Sequence, residues 1–146
     1  FVCLTSGDEE ITWPFALDDS ITYDGNRLKT AVRYANRKVL EATKEQTEYE
    51  GMATTLAAVL VDGDTANLGH VGDSRIYLWR AGVLRQLTAD HSWVNEQLQN
   101  GAISPEQARS HPLRNVVTRA LGGRAVARSS EKFGAKTLDK VAYAWQ

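Results

Sequence analysis

The segment TTLAAVLVDGDTANLGHVGDSRIYLWRAGVLRQL, residues 54–87, decides the fold. Residues 54–61 are β-rich and almost wholly apolar, the composition of a strand covered on both faces. Asp62-Gly63-Asp64 breaks the run with a tight turn, because glycine tolerates the positive φ that such turns use. Residues 65–71 return as a partner strand with Ala66, Leu68 and His70 on one side, since alternate side chains share a face. A third strand follows over 75–80, with Ile76 and Leu78 set against Tyr77 and Trp79. Ala81-Gly82 turns it into a fourth over 83–87, and the pattern predicts two consecutive hairpins in an antiparallel meander.

Upstream, residues 26–44 predict an amphipathic helix. Leu28, Ala31, Val32, Ala35, Val39 and Ala42 recur at three- and four-residue steps, while Arg27, Arg33, Lys38 and Glu41 fall largely off that stripe. Asp24 or Asn26 is placed to cap its start, and the apolar stripe is expected to pack on the sheet. Residues 1–24 show no period, and Pro14 disfavours a helix there, so they read as a loop pinned to the body by Trp13, Phe15 and Leu17. The acidic run Gly7-Asp8-Glu9-Glu10 lacks the spacing of a cation loop and reads as solvated.

Downstream, 93–99 and 105–109 read as short helices. Ser104-Pro105-Glu106-Gln107 announces the second, with Ser as N-cap, Pro at the first helical position and Gln107 at the capping-box position. Residues 113–121 are read as returning to the sheet, and the tail beyond 122 is too weakly periodic for assignment.

A chain of 146 residues is one ordinary domain and long enough to bury a core. Its 17 Lys and Arg nearly cancel 18 Asp and Glu, and no polybasic run appears, which argues against a nucleic-acid partner. The longest apolar run, 56–61, is far short of the about 20 residues a membrane helix needs. No basic segment precedes the first apolar residues and Phe1 is not Met, so no signal peptide is evident and the sequence reads as a fragment. Cys3 is the only cysteine, which excludes an intrachain disulfide and suggests a reducing, cytoplasmic setting. Without a base beside it in the sequence, Cys3 reads as a small hydrophobe rather than a nucleophile.

Five pieces occur in order: Gly51-Met52-Ala53-Thr54-Thr55-Leu56, Gly69-His70-Val71-Gly72-Asp73-Ser74-Arg75-Ile76-Tyr77, Leu84-Arg85-Gln86-Leu87-Thr88-Ala89-Asp90-His91-Ser92, Gly101-Ala102-Ile103-Ser104-Pro105-Glu106-Gln107-Ala108, and 111–122 from His111-Pro112 to Leu121-Gly122. Together they resemble the bacterial PP2C-type (PPM) metal-dependent protein serine/threonine phosphatases, which usually carry glycine in place of Ala53. The resemblance is strongest over 51–122 and leaves 1–24 as loop and 123–146 as a divergent tail, so residues 1–146 read as a single partial domain. It implies an α+β fold, part of an α-β-β-α sandwich in which a pair of packed antiparallel sheets is flanked by helices. It also implies that residues 92–115 form a flap beside the active site.

In that family two divalent cations, Mn²⁺ or Mg²⁺, share a bridging water, lower its pKa and neutralise charge on the phosphoryl oxygens. The ligands are hard oxygens. The family takes most of them from an acidic N-terminal strand, an Asp-Gly-x-Gly-Gly turn, a Ser-Asp-Gly turn and a late Asp-Asn pair, none of which this sequence shows. Asp24-Gly25 lacks the glycine pair, and Leu138-Asp139 lacks the Ser-Asp-Gly context. Asp73 matches an accessory third-metal position of the family. Its other reading is a turn residue whose carboxylate accepts from backbone N–H groups, and for this chain alone the turn role is the stronger.

Arg75, His91 and Arg114 are flap or substrate-proximal candidates. Arg75 suits either an anionic substrate or a strand-edge salt bridge. His91 stands at the root of the flap, where Asp90 or Ser92 caps the next helix. Arg114 and Arg119 serve the flap or the sheet. His70 reads as a satisfied core histidine, and His111-Pro112 as a turn with the ring at the surface. A Ser74 nucleophile would need an oriented base and an oxyanion site, whereas in this family water attacks.

The resemblance implies hydrolysis of phosphoserine and phosphothreonine in proteins by the complete enzyme, within a pathway that includes the cognate kinase. This chain, lacking most ligands, is expected to hold no metal tightly and to be inactive. The alternative is a PP2C-like pseudophosphatase, a phosphoprotein-binding or regulatory module.

Overall fold

A computed structural model of the chain describes residues 15–123 and 134–137. The helix expected over 26–44 runs over Tyr23–Glu45 (α1), followed by a single 3-10 turn at Thr47–Tyr49. Neither Asp24 nor Asn26 caps it: the Thr22 hydroxyl accepts from the Gly25 N–H at 3.0 Å. Asp24 lies inside the first turn and pairs with Arg27 at 2.6 Å. Asn26 is buried and ties down the preceding loop, accepting from Asp18 N–H at 2.8 Å and donating to Asp18 O at 2.9 Å. Lys29 adds to this tether at 2.7 Å, and its hydrogen bond, with those from Ser20, holds the Asp18 carboxyl well below the usual range. Phe15 is half-buried under the guanidinium groups of Arg33 and Arg37, 5.9 and 5.5 Å from the ring centre. Leu17, by contrast, is 51% exposed and pins nothing. Cys3, the acidic run and Trp13 lie outside the described residues.

Leu56–Asp62 (β1) and Thr65–Val71 (β2) pair antiparallel, Leu56 opposite Val71 and Asp62 opposite Thr65. Tyr77–Arg80 (β3) and Val83–Gln86 (β4) form the second hairpin, closed by Ala81 and Gly82 with φ of 50° and 79°. The predicted meander is divided here, because β3 does not pair with β2. Gly72 takes a φ of 100° and residues 73–76 leave the ladder, carrying the chain from one sheet to the other. The free edge of β2 is taken by Gly134–Thr137 (β5), a strand the sequence did not announce, which gives the order β1-β2-β5.

The register explains the layers. Leu56, Ala58 and Leu60 of β1 pack with Val71 against Leu28, Val32 and Ala35 of α1, and Leu121 closes that cluster. On the other face, Ala66 and Leu68 of β2 are covered by Leu78, Ile76 and Leu87 of the hairpin region. The hairpin covers β2 and not β1. Val59 and Val61 therefore stand 38% and 44% exposed, and β1 is not covered on both faces as expected. Ala31, placed on the apolar stripe by its spacing, is exposed.

Trp93–Gln99 (α2) and Pro105–Ser110 (α3) follow as expected. Ser92 caps α2, and Ser104 with Gln107 forms the reciprocal capping box of α3. Residues 113–121 do not form a strand. Residues 112–115 turn, and only Val117 and Leu121 make isolated bridges, to Ser92 and Thr54. The Thr54–Leu121 bridge has bonds of 3.0 and 2.8 Å, and Gly122 N–H reaches Asn36 Oδ1 at 2.9 Å. Among the described residues no helix is long and apolar enough to cross a membrane.

Leu121 is 2% exposed and joins the end of the flap segment to α1 and β1. Leu121→Ala is expected to destabilise the chain by about 3 kcal/mol through lost burial and a residual cavity. A lowered urea midpoint at unchanged slope checks this.

Candidate functional site

The candidate site grows from the end of β2. Gly72 is buried, and a Cβ built on it would lie 2.3 Å from Thr55 Cγ2 and 2.6 Å from Thr55 Cβ. No side chain fits, and the positive φ is one that L residues rarely adopt. Thr55 Oγ1 lies 2.7 Å from Ser74 Oγ, so the lead-in to β1 holds both ends of the Gly72–Ser74 turn.

A buried peptide group must find partners, and β2 has already ended. Histidines supply them. Gly72 N–H donates to His91 Nδ1 at 3.1 Å, while Gly72 O accepts from His91 N–H at 2.9 Å and from His70 Nε2 at 2.9 Å. A carbonyl only accepts, so His70 carries its proton on Nε2. An imidazole nitrogen that receives an N–H is unprotonated, so His91 also holds its proton on Nε2. The rings stack with centroids 4.4 Å apart, and both residues are buried. Burial pushes the His70 pKa down, against the weaker opposing pull of the Gly72 carbonyl and of Asp90 and Asp73.

His91 O in turn accepts from Thr118 N–H at 2.8 Å, and Trp93 N–H reaches Val116 O at 2.9 Å. These bonds close the neck of the excursion 92–117, which carries α2 and α3. Thr118 Oγ1 bonds Glu96 Oε1 at 2.7 Å, and Trp93 stacks on His111 at 4.4 Å. His111 is thus half-buried against an indole rather than a ring at the surface.

Arg75 makes a fork-to-fork pair with Asp90, Nε to Oδ1 at 2.8 Å and Nη2 to Oδ2 at 2.6 Å. Asn95 Nδ2 holds Asp90 O at 2.7 Å. Of the two readings of Arg75, the structure displays the salt bridge.

The sequence candidates therefore separate. Asp73, Arg75 and His91 gather around Gly72. Arg114 lies exposed on the turn after α3 and hydrogen-bonds only through its backbone, to His111 O at 3.0 Å, among the described residues. Asp73 is exposed, and its carboxylate accepts no hydrogen bond among the described residues, so the turn-capping role is not seen. Histidines hold the turn instead. Ser74 hydrogen-bonds a threonine rather than a histidine, so no serine–base pair is assembled.

For a hard cation the donor set is thin. Asp90 is committed to Arg75, His70 and His91 grip Gly72, and Asp73 stands alone. Among the described residues no group of three or more His, Cys, Asp or Glu is arranged to hold a metal ion. These residues do not by themselves fit a two-metal centre. The roles of His91, Asp90 and Thr55 were not readable in the sequence, because each acts on a residue 15 to 19 positions away with no periodic signal.

Gly72→Ala is expected to cost about 3 kcal/mol, combining backbone strain with overpacking on Thr55. Gly63→Ala, with φ of 52° and nothing within 4 Å of the added Cβ, is expected to cost only about 1 kcal/mol. Paired chemical denaturation curves test the difference. Arg75 is 47% exposed, so a double-mutant cycle with Asp90 is expected to give a coupling of only about 1 kcal/mol, shrinking as salt is raised.

The sequence profile of the family described as Protein phosphatase 2C matches residues 10–127. The serine/threonine protein phosphatase PstP of Mycobacterium tuberculosis is 43% identical over 100 residues, covering 68% of this chain and 20% of that protein. The crystal structure of serine/threonine phosphatase Stp1 from Staphylococcus aureus aligns with a TM-score of 0.72 at 33% identity, over 83% of this chain and 48% of that one. The catalytic domain of PstP in complex with two manganese ions aligns with a TM-score of 0.65 at 34% identity, over 77% of this chain and 45% of that one. The chain thus spans less than half the length of these relatives. Its two-sheet α+β architecture is that of part of their fold, and the chain belongs to the protein phosphatase 2C family.

Proposed function

We propose that this chain forms the outer edge of a metal-dependent phosphomonoester hydrolase site, part of an enzyme that acts on phosphoserine and phosphothreonine in proteins with Mn²⁺ or Mg²⁺. On its own it is inactive. The observation that carries this reading is the position of Asp73, exposed on the Gly72–Ser74 turn with no protein partner among the described residues. A carboxylate so placed offers a cation one hard oxygen ligand and needs others to retain it. The related structure with two manganese ions supports the choice of metal, and the share of that structure this chain covers leaves room for the remaining ligands.

Of the flap candidates, His91 and Arg75 serve this site by fixing its edge, and Arg114 stands where a phosphoprotein approaching the flap would meet it. The phosphorylated proteins, the cognate kinase pathway and a cytoplasmic setting belong to this reading of the complete enzyme. The alternative, a module that binds phosphoproteins without catalysis, calls for a cation free to meet phosphate. Arg75 is committed to Asp90, which counts against it at this turn.

The purified chain is expected to show no Mn²⁺-dependent hydrolysis of a phosphothreonine peptide beside a full-length relative. Turnover within about tenfold of that relative, about 1.4 kcal/mol in barrier height, would overturn the claim of inactivity. In a full-length context that retains this segment, Asp73→Asn is expected to raise the Mn²⁺ concentration needed for half-maximal rate, and an unchanged requirement would remove Asp73 from the metal site.

A further inference from the structure

We propose that the neutral rings of His70 and His91 form an acid-releasable pin that locks the root of the 92–117 excursion to the Gly72–Ser74 turn. Acidification would then free both together. The proposal rests on the hydrogen-bond geometry and not on the phosphatase reading.

Three backbone segments meet at the pin. Gly72 donates its N–H to the His91 ring and accepts from the His91 N–H, and His91 O accepts from Thr118 N–H, so the segments at Gly72, His91 and Thr118 are tied in series. Only one of these bonds depends on protonation state, the one from Gly72 N–H to His91 Nδ1. A proton on Nδ1 turns the acceptor into a donor facing another donor, and the bond is lost. His70 keeps its bond to Gly72 O in either state, but a charge on its buried ring would lie 4.4 Å from the His91 ring. The two rings therefore cannot both be charged without separating.

The charged groups that act on His70 are Asp90 and Asp73, both favouring the protonated ring. Asp90 is largely neutralised by Arg75. Ala57, opposite His70 on β1, carries no charge, and Thr118 on the flap neck is neutral. Burial outweighs these carboxylates and holds the His70 pKa below its ordinary value. An unfolded or opened chain thus binds the proton more readily than the closed one. The stabilisation is complete above the ordinary histidine pKa of about 6.5 and is lost as pH falls from there toward the lowered value.

The test is amide hydrogen exchange on the full chain at about pH 8 and about pH 5.5, corrected for intrinsic rates. Protection of the Gly72, His91 and Thr118 amides is expected to fall at least about tenfold at the lower pH, while Val32 in α1 changes less than about twofold. His91→Asn keeps an acceptor oxygen for the Gly72 N–H that cannot be protonated, so its protection is expected to fall clearly less than in the parent chain, the remaining fall coming from His70. Unchanged protection in the parent chain, an equal loss in His91→Asn, or a uniform loss that includes Val32 would each overturn the pin. Should His91→Asn fail to fold, imidazole ¹⁵N shifts of the parent chain decide. Both rings are expected as Nε2–H tautomers, and an Nδ1–H tautomer at His91 overturns the proposal.

Discussion

Thr55 lies so close to Gly72 that any side chain at residue 72 would collide with it, and that close approach determines how the surrounding segments meet. The chain must leave the ladder of β2 there, because the φ of 100° is incompatible with continuing the strand. Leaving the ladder strands a buried peptide group, which in an apolar surrounding would cost about 1–3 kcal/mol if unpaired. His91 and His70 resolve that cost, so the flap root is fixed to the turn by the same bonds that satisfy Gly72. The link is a matter of backbone satisfaction first, and its value for a site follows from it.

The same departure from the strand produces the layered fold. A continuous meander would have placed β3 beside β2 in one sheet. Instead the turn lifts the β3–β4 hairpin onto the face of β2 that carries Ala66 and Leu68, and β5 takes the vacated edge. The other face of the sheet belongs to α1, whose Leu28 and Val32 meet Val71 and Leu121. Each apolar cluster is small, and Leu121 draws the far end of the flap segment into the first of them. Position of the flap and integrity of the core are therefore coupled at both ends, through His91 and through Leu121.

What the sequence made legible was local. The stripe of Leu28, Val32 and Ala35 marked α1, alternation in 65–71 marked β2, and Ser104 with Gln107 marked α3, since each signal resides within one element. The cap of α1 was misread because Thr22, Asp24 and Asn26 are all competent caps, and only the tertiary use of Asn26 against Asp18 separates them. Residues 113–121 were misread because a run such as Val116-Val117-Thr118 has strand composition whether it makes a ladder or a pair of bridges. The division of the meander into two sheets was invisible to periodicity, which reads faces and not neighbours. It was the family resemblance that implied paired sheets. At the site, Asp73 and Arg75 stood out as residue types, but which carboxylate answers Arg75 depends on a contact across 15 residues of sequence.

That choice of carboxylate sets the charge of the site's edge. Arg75 and Asp90 face each other in two parallel hydrogen bonds and nearly cancel beyond a Debye length. His70 and His91 hold Gly72 as neutral rings. Of the charged side chains gathered at the turn, only Asp73 is then left uncompensated, and it is exposed. A turn with that balance attracts a cation and repels a bare phosphate. Had Asp73 paired with Arg75 and left Asp90 unpaired, the sole free carboxylate would sit half-buried at the flap root instead of on the exposed turn. The two-bond pairing of Arg75 with Asp90 is thus what leaves Asp73 as the uncompensated carboxylate on the exposed turn.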